Sequence, residues 1–219
     1  MTTTIVPTAT VVDASEASRR PRWPMIAGFG YLASWVIGLS AFGVGPGADA
    51  TDLEVSQYFA DHRVATSLQS LLIHGVAAVA LLTVLVASKR ARISGHLAHA
   101  AGLTAVALSL VQLSLDLWRS AISTGTTTTQ LVEAIDRVDG LKMFALALMV
   151  AAGVPAMRAA GVIAGRMAFV GRVSAVALVV SGIAYGAAID GLVISASLSL
   201  VLLLGWVAFQ GVAAGRRSR

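Results

Sequence analysis

Residues 67–90 read SLQSLLIHGVAAVALLTVLVASKR, and from Leu71 to Ala87 the only polar side chains are His74 and Thr83. An uncharged run of about 20 residues is long enough to cross a bilayer. In hydrocarbon a backbone must satisfy its own polar groups, so such a run is a helix. The Lys89-Arg90 pair closes it. Five further apolar segments accompany it. The six run roughly 24–44, 66–88, 96–118, 141–158, 172–189 and 192–213.

The whole composition agrees. Of 219 residues, 57% are hydrophobic and 12% charged, and the mean hydropathy is +0.81. A soluble domain carries about 25% charged residues. The chain reads as an all-α, polytopic membrane protein: a six-transmembrane-helix bundle with two short interfacial helices on the outer side. Residues 1–22, polar and ending in RRPR, read as a disordered cytoplasmic tail. Residues 23–215 form the transmembrane domain, and 216–219 a basic cytoplasmic C-terminus.

Basic residues set the orientation. Arg19, Arg20, Arg22, Lys89, Arg90, Arg92, Arg158, Arg166, Arg172, Arg216, Arg217 and Arg219 fall on one side of the six spans. Arg63, Arg119, Arg137 and Lys142 fall on the other. The positive-inside rule places the first group, and both termini, in the cytoplasm. The net charge of +5 is therefore a topology signal and calls for no nucleic-acid partner. The bilayer itself is the expected partner, with a second membrane protein or a homo-oligomer as further candidates. A cleaved first helix is the competing reading of SRRPRW and the later ADA at 48–50. The apolar run between them exceeds the 7–15 residues of a signal core, which favours an uncleaved helix.

Cysteine is absent, which removes disulfides, thiolate metal sites and Cys-x-x-Cys redox chemistry. Arginine heavily outnumbers lysine, which occurs only at Lys89 and Lys142. With the abundance of Ala, Val and Gly this points to a high-GC bacterial genome, and so to the bacterial inner membrane.

The two longer outer loops each predict a short helix. Thr51 and Glu54 form a T-x-x-E capping box, and Val55, Tyr58 and Phe59 would face the membrane surface. In 126–140, Thr129 is the expected N-cap, Leu131, Ile135 and Val138 share a face, and Gly140 ends the helix. Helix pairs 1–2 and 3–4 would then repeat one helix–interfacial helix–helix unit. Gly161/Gly165, Gly182/Gly186 and Gly211/Gly215 have the spacing that lets membrane helices approach closely, within the chain or across a dimer.

The chemistry-bearing residues concentrate in the outer half. Ser109, Gln112, Asp116 and Arg119 share one face of the third span. Ser67, Ser70 and His74 share one face of the second. His74 lies roughly 12 Å below the outer end of its helix, at about the depth of Gln112. Adding Lys142 and Asp190 gives a candidate outer polar pocket of His74, Gln112, Asp116, Arg119, Lys142 and Asp190. Intramembrane ionisable groups read by default as functional. The competing reading makes Asp116 and Arg119 markers of the headgroup boundary, anchored by Trp118. Trp35, Trp206 and Tyr31 read as packing.

No catalytic residue is assigned. G-x-S-x-G, H-E-x-x-H and phosphate-loop motifs are missing. No two histidines on different helices share a level, which argues against bis-His haem. His96 and His99, near the cytoplasmic end, lack an accompanying carboxylate there. No cofactor and no metal are expected.

The segment from Ala48 to Arg92 contains ADHR, then SLQSLLIHG, then SKRAR. It resembles a broad group of uncharacterised small six-helix integral membrane proteins of actinobacteria, with Tyr58, His62 and Arg63 at the matching places. The resemblance implies a six-helix membrane protein and carries over no functional residue. In it, Arg63 would meet headgroups or cap the outer helix. Three functions stay open: a non-enzymatic accessory, sensory or structural protein; a small ion- or proton-coupled carrier or channel; and an enzyme acting on lipid or quinone.

Overall fold

The computed structural model describes residues 22–42, 45–46, 50–122, 125–187 and 193–217. Seven helices appear among them. They are α1 (Trp23–Phe42), α2 (Asp52–Asp61), α3 (Arg63–Arg90), α4 (His96–Ile122), α5 (Gly125–Ala159), α6 (Gly165–Gly186) and α7 (Val193–Arg217). All but α2 are long and apolar enough to cross a membrane. The 1–22 tail and Asp190 with its turn lie outside the described residues, apart from Arg22.

The spans pack in chain order, α1 closes against α7, and α3 also touches α7. Each presents apolar side chains outward, such as Ile26, Val79, Leu97, Phe169, Val176 and Val201. Such faces suit a lipid solvent, since lipid tails cost them nothing. Helix contact is made instead by small residues. In α1 the buried positions are Pro24, Gly28, Tyr31, Ser34 and Gly38. A Cβ at Gly28 would stand 3.1 Å from the Ala208 backbone of α7, and one at Gly211 would stand 2.5 Å from the Pro24 carbonyl. The Gly211 spacing thus serves packing within the chain.

Two expectations about helix ends are corrected. Gly140 does not end a helix, and Thr129 does not begin one. Helix α5 runs unbroken through both for 35 residues, roughly 52 Å. That exceeds the ~30 Å hydrocarbon core. A Cβ at Gly140 would sit 3.0 Å from the Gly182 carbonyl and 3.1 Å from the Gly186 nitrogen of α6. Its missing side chain brings two helices together, and helix–helix packing outweighs its low helix propensity. The segment expected to form a second short helix is continuous with the fourth span in α5, whereas α2 is separate from α3, so the two helix pairs do not share one form.

Gly161 and Gly165 do not bring helices together within the chain. Gly161 has φ +66° and stops α5. The Val162 N–H reaches the Met157 carbonyl and the Gly161 N–H that of Arg158, the Schellman pattern. Arg92, at φ 54°, stops α3 in the same way through Ile93 and Ser88. Nothing lies within 4 Å of a Cβ built at Gly165.

Helix α2 starts as its sequence predicts. The Thr51 N–H donates to Glu54 (2.8 Å) and the Glu54 N–H to Thr51 Oγ1 (3.4 Å). These bonds hold the exposed Glu54 carboxyl below the ordinary carboxylate range. Its buried face, Ser56 and Phe59, lies mainly against α5.

Candidate functional site

Just before its midpoint, α3 departs from α geometry: Leu71–Val76 form a π turn. Such turns recur at functional sites. This one carries His74 and packs between neighbours through two glycine contacts. Ile73 fills the space beside Gly38 of α1, and Gly75 lies against Leu113 of α4.

His74 Nε2 faces Asp116 Oδ2 at 3.6 Å, just beyond a direct hydrogen bond. Its Nδ1 is buried with no partner among the described residues. The Trp35 ring meets the imidazole edge-on, centroids 6.3 Å apart. Asp116 is 4% exposed. It faces inward, paired to Arg119 at 2.6 Å and approached by the Ser70 hydroxyl. The stripes of the second and third spans therefore meet, and Asp116 faces into the bundle. Trp118, 52% exposed, faces out.

A second cluster adjoins the first. Lys142 is 2% exposed and donates to Gln112 Oε1 at 2.5 Å. It also pairs with Asp139 Oδ1 at 2.5 Å. Gln112 Nε2 reaches back to the Ile135 carbonyl at 3.5 Å, so α4 and α5 are cross-braced in both directions. Lys142 also lies 5.7 Å from the Trp35 ring centroid. Both ion pairs have i,i+3 spacing on their own helices, and in total two carboxylates meet two cations. Isolated charges at this depth would cost several kcal/mol each, so pairing is a condition of their being there.

The cluster has a cover. The Arg119 guanidinium lies 3.8 Å from the centroid of the Phe59 ring. The expectation that Phe59 faces the membrane surface is corrected: it is 6% exposed, because an aromatic face is attracted to a cation that needs shielding from water. Thr129 of α5 donates to Asp52 of α2 at 2.8 Å, a second tie. Arg63 donates to the Ala121 carbonyl at 2.8 Å and so caps α4, while His62 stacks on Tyr58, centroids 4.5 Å apart.

Of the predicted site residues, His74, Gln112, Asp116, Arg119 and Lys142 converge, and Asp190 lies outside the described residues. Asp139, Trp35, Phe59 and Ser70 complete the cluster. Asp139 had a signal: DGLK at 139–142 repeats the acid-x-x-base spacing of DLWR at 116–119. The expected helix end at Gly140 hid it. Trp35 had none, because only the fold brings it to His74. Among the described residues no three His, Asp or Glu side chains group as a metal site.

What the arrangement can do is hold paired charges inside the bundle and keep an imidazole 3.6 Å from one of the carboxylates. Against known families, curated proteins and solved structures, the chain gives no significant match.

Proposed function

We propose that the chain is a non-enzymatic, multi-pass protein of the bacterial cytoplasmic membrane with a sensory role. Both termini lie in the cytoplasm, and α2 lies on the outer face. The buried cluster beneath α2 is its proton- or cation-responsive element. One observation carries this reading: an imidazole held 3.6 Å from a buried carboxylate that is already committed to Arg119. Adding a proton or a cation there unbalances a network that sits directly under Phe59, so the signal has a mechanical outlet at the outer surface. Among the described residues the other half of the bundle interior buries no charged side chain and is filled mainly by Leu85, Ile93, Met149, Met157, Leu203 and Val207, with Ser88, Ser174 and Gln210, which suits a sensor better than an open conduit.

A small proton- or ion-coupled carrier is the second reading. The π turn at Leu71–Val76 favours it, since a π turn and an α turn interconvert by a one-residue shift that would carry His74 with it.

Trp35 supplies the test. The protein in nanodiscs is titrated with acid and with monovalent cations, and its emission is compared with that of Trp35→Phe. A titration of the Trp35 signal that His74→Gln abolishes supports the sensor. A flat signal ends it. Proteoliposomes loaded with a pH dye then separate the readings, because a His74-dependent proton flux belongs to the carrier alone.

A further inference from the structure

At the opposite end of the bundle a groove of about 450 Å³ opens between α5 and α6. Its floor is apolar, made by Ala151, Val154, Pro155 and Ala175, and Arg158 and Arg172 stand at its edge. The side chains between the arginines are small: alanine at 151 and 175, and a proline ring at 155. It lies within two membrane-spanning helices, so its surroundings are acyl chains rather than water.

The two arginines are out of place in that setting. Arg158 is the penultimate residue of α5, at the level where headgroups begin. Arg172 stands seven positions into α6, roughly 10 Å along the helix from its start. Both are exposed, and no carboxylate pairs with either among the described residues. Two guanidinium groups share one groove, and a cation on a lipid-facing surface is costly without a counter-charge. Guanidinium is also the cation best matched to phosphate oxygens, through paired N–H donors.

We infer that this groove is a binding site for an anionic phospholipid. The phosphate bridges Arg158 and Arg172, and one acyl chain lies along Ala151, Val154 and Ala175. The occupant must be negative to answer the arginines and apolar to fill the floor. A soluble phosphate meets only the first requirement, and a zwitterionic lipid brings its own cation to a site that already holds two. Basic recesses between membrane helices bind acidic headgroups by this same combination.

The test uses the full chain purified in detergent micelles. Retained lipid is read by native mass spectrometry and protection by thermal shift. The probes are phosphatidylglycerol, phosphatidylcholine and glycerol 3-phosphate. Phosphatidylglycerol should bind about tenfold more tightly than phosphatidylcholine, and Arg158→Gln with Arg172→Gln should remove about that factor. Arg166→Gln, also exposed at this end but outside the groove, should leave binding unchanged. Ala151→Phe, which fills the floor while both arginines remain, should lower retention. Circular dichroism establishes that each variant is helical. Equal retention of the two lipids would overturn the inference, as would full binding by the double variant. Protection by glycerol 3-phosphate equal to that of the lipid would also overturn it, since the occupant would then be a free anion.

Discussion

Phe59 of α2 lies over Arg119 of α4, with 3.8 Å between the guanidinium carbon and the ring centroid. A short amphipathic helix is thereby attached to a charge inside the bundle, and that charge is paired with Asp116. The contact joins the buried cluster to the inner face of α2.

If the ring shields the guanidinium, its removal should loosen α2. Phe59→Leu keeps apolar cover and loses the aromatic face, costing about 1 kcal/mol; Phe59→Ala loses both, costing about 3–5 kcal/mol. Because the chain has no cysteine, Ser56→Cys on the buried face of α2 reports undocking through its thiol-labelling rate. That rate should rise in the order wild type, Leu, Ala. Equal rates would remove the coupling.

The Asp139–Lys142 pair should be worth far more intact than half-broken. Lys142→Met leaves the half-buried Asp139 carboxylate without its cation and should cost up to about 3 kcal/mol in thermal unfolding. Adding Asp139→Asn to the same chain should recover most of that loss. A double variant no more stable than the single would mean the pair is not the unit described here.

Glycine at 140 is there for contact. Gly140→Ala sets a Cβ 3.0 Å from the Gly182 carbonyl, and α5 and α6 must separate, a loss of about 1–3 kcal/mol. Gly165→Ala has open space and better helix propensity, so it should be neutral or stabilise by up to about 1 kcal/mol. Melting temperatures of the two variants should move in opposite directions, or only the first should fall.

Acid should fray the start of α2. The Glu54 carboxyl is held below its ordinary value by Thr51. Its contribution is therefore complete above the unfolded-state value of about 4.3 and is lost as pH falls through the lower folded value. A nitroxide at exposed Leu53→Cys should gain mobility on acidification through that window. Glu54→Gln, which can still form a capping box, should show little pH dependence. Equal pH responses in the two would assign the effect elsewhere.

The candidate site was partly legible before the fold was known. Polar residues recurring at helical spacing on two adjacent spans placed His74, Gln112 and Asp116 on facing stripes, because a charged side chain in a membrane helix turns inward or toward water. Lys142 came from its place at the start of a span. Asp139 was masked by Gly140, whose propensity argues for a helix end while its neighbours in α6 argue for continuation.

The sequence by itself determined the six apolar spans and the capped start of α2. These depend on segment length, hydropathy and bonds between residues three apart, all local quantities. Only the tertiary structure decided which residues share the buried cluster and what covers it. Trp35 reaches His74, Phe59 reaches Arg119, and Gly140 meets Gly182 across chain separations that no local pattern encodes. Side chains on different helices become neighbours through the rotation and depth of each helix, and small-residue packing among all six sets those together.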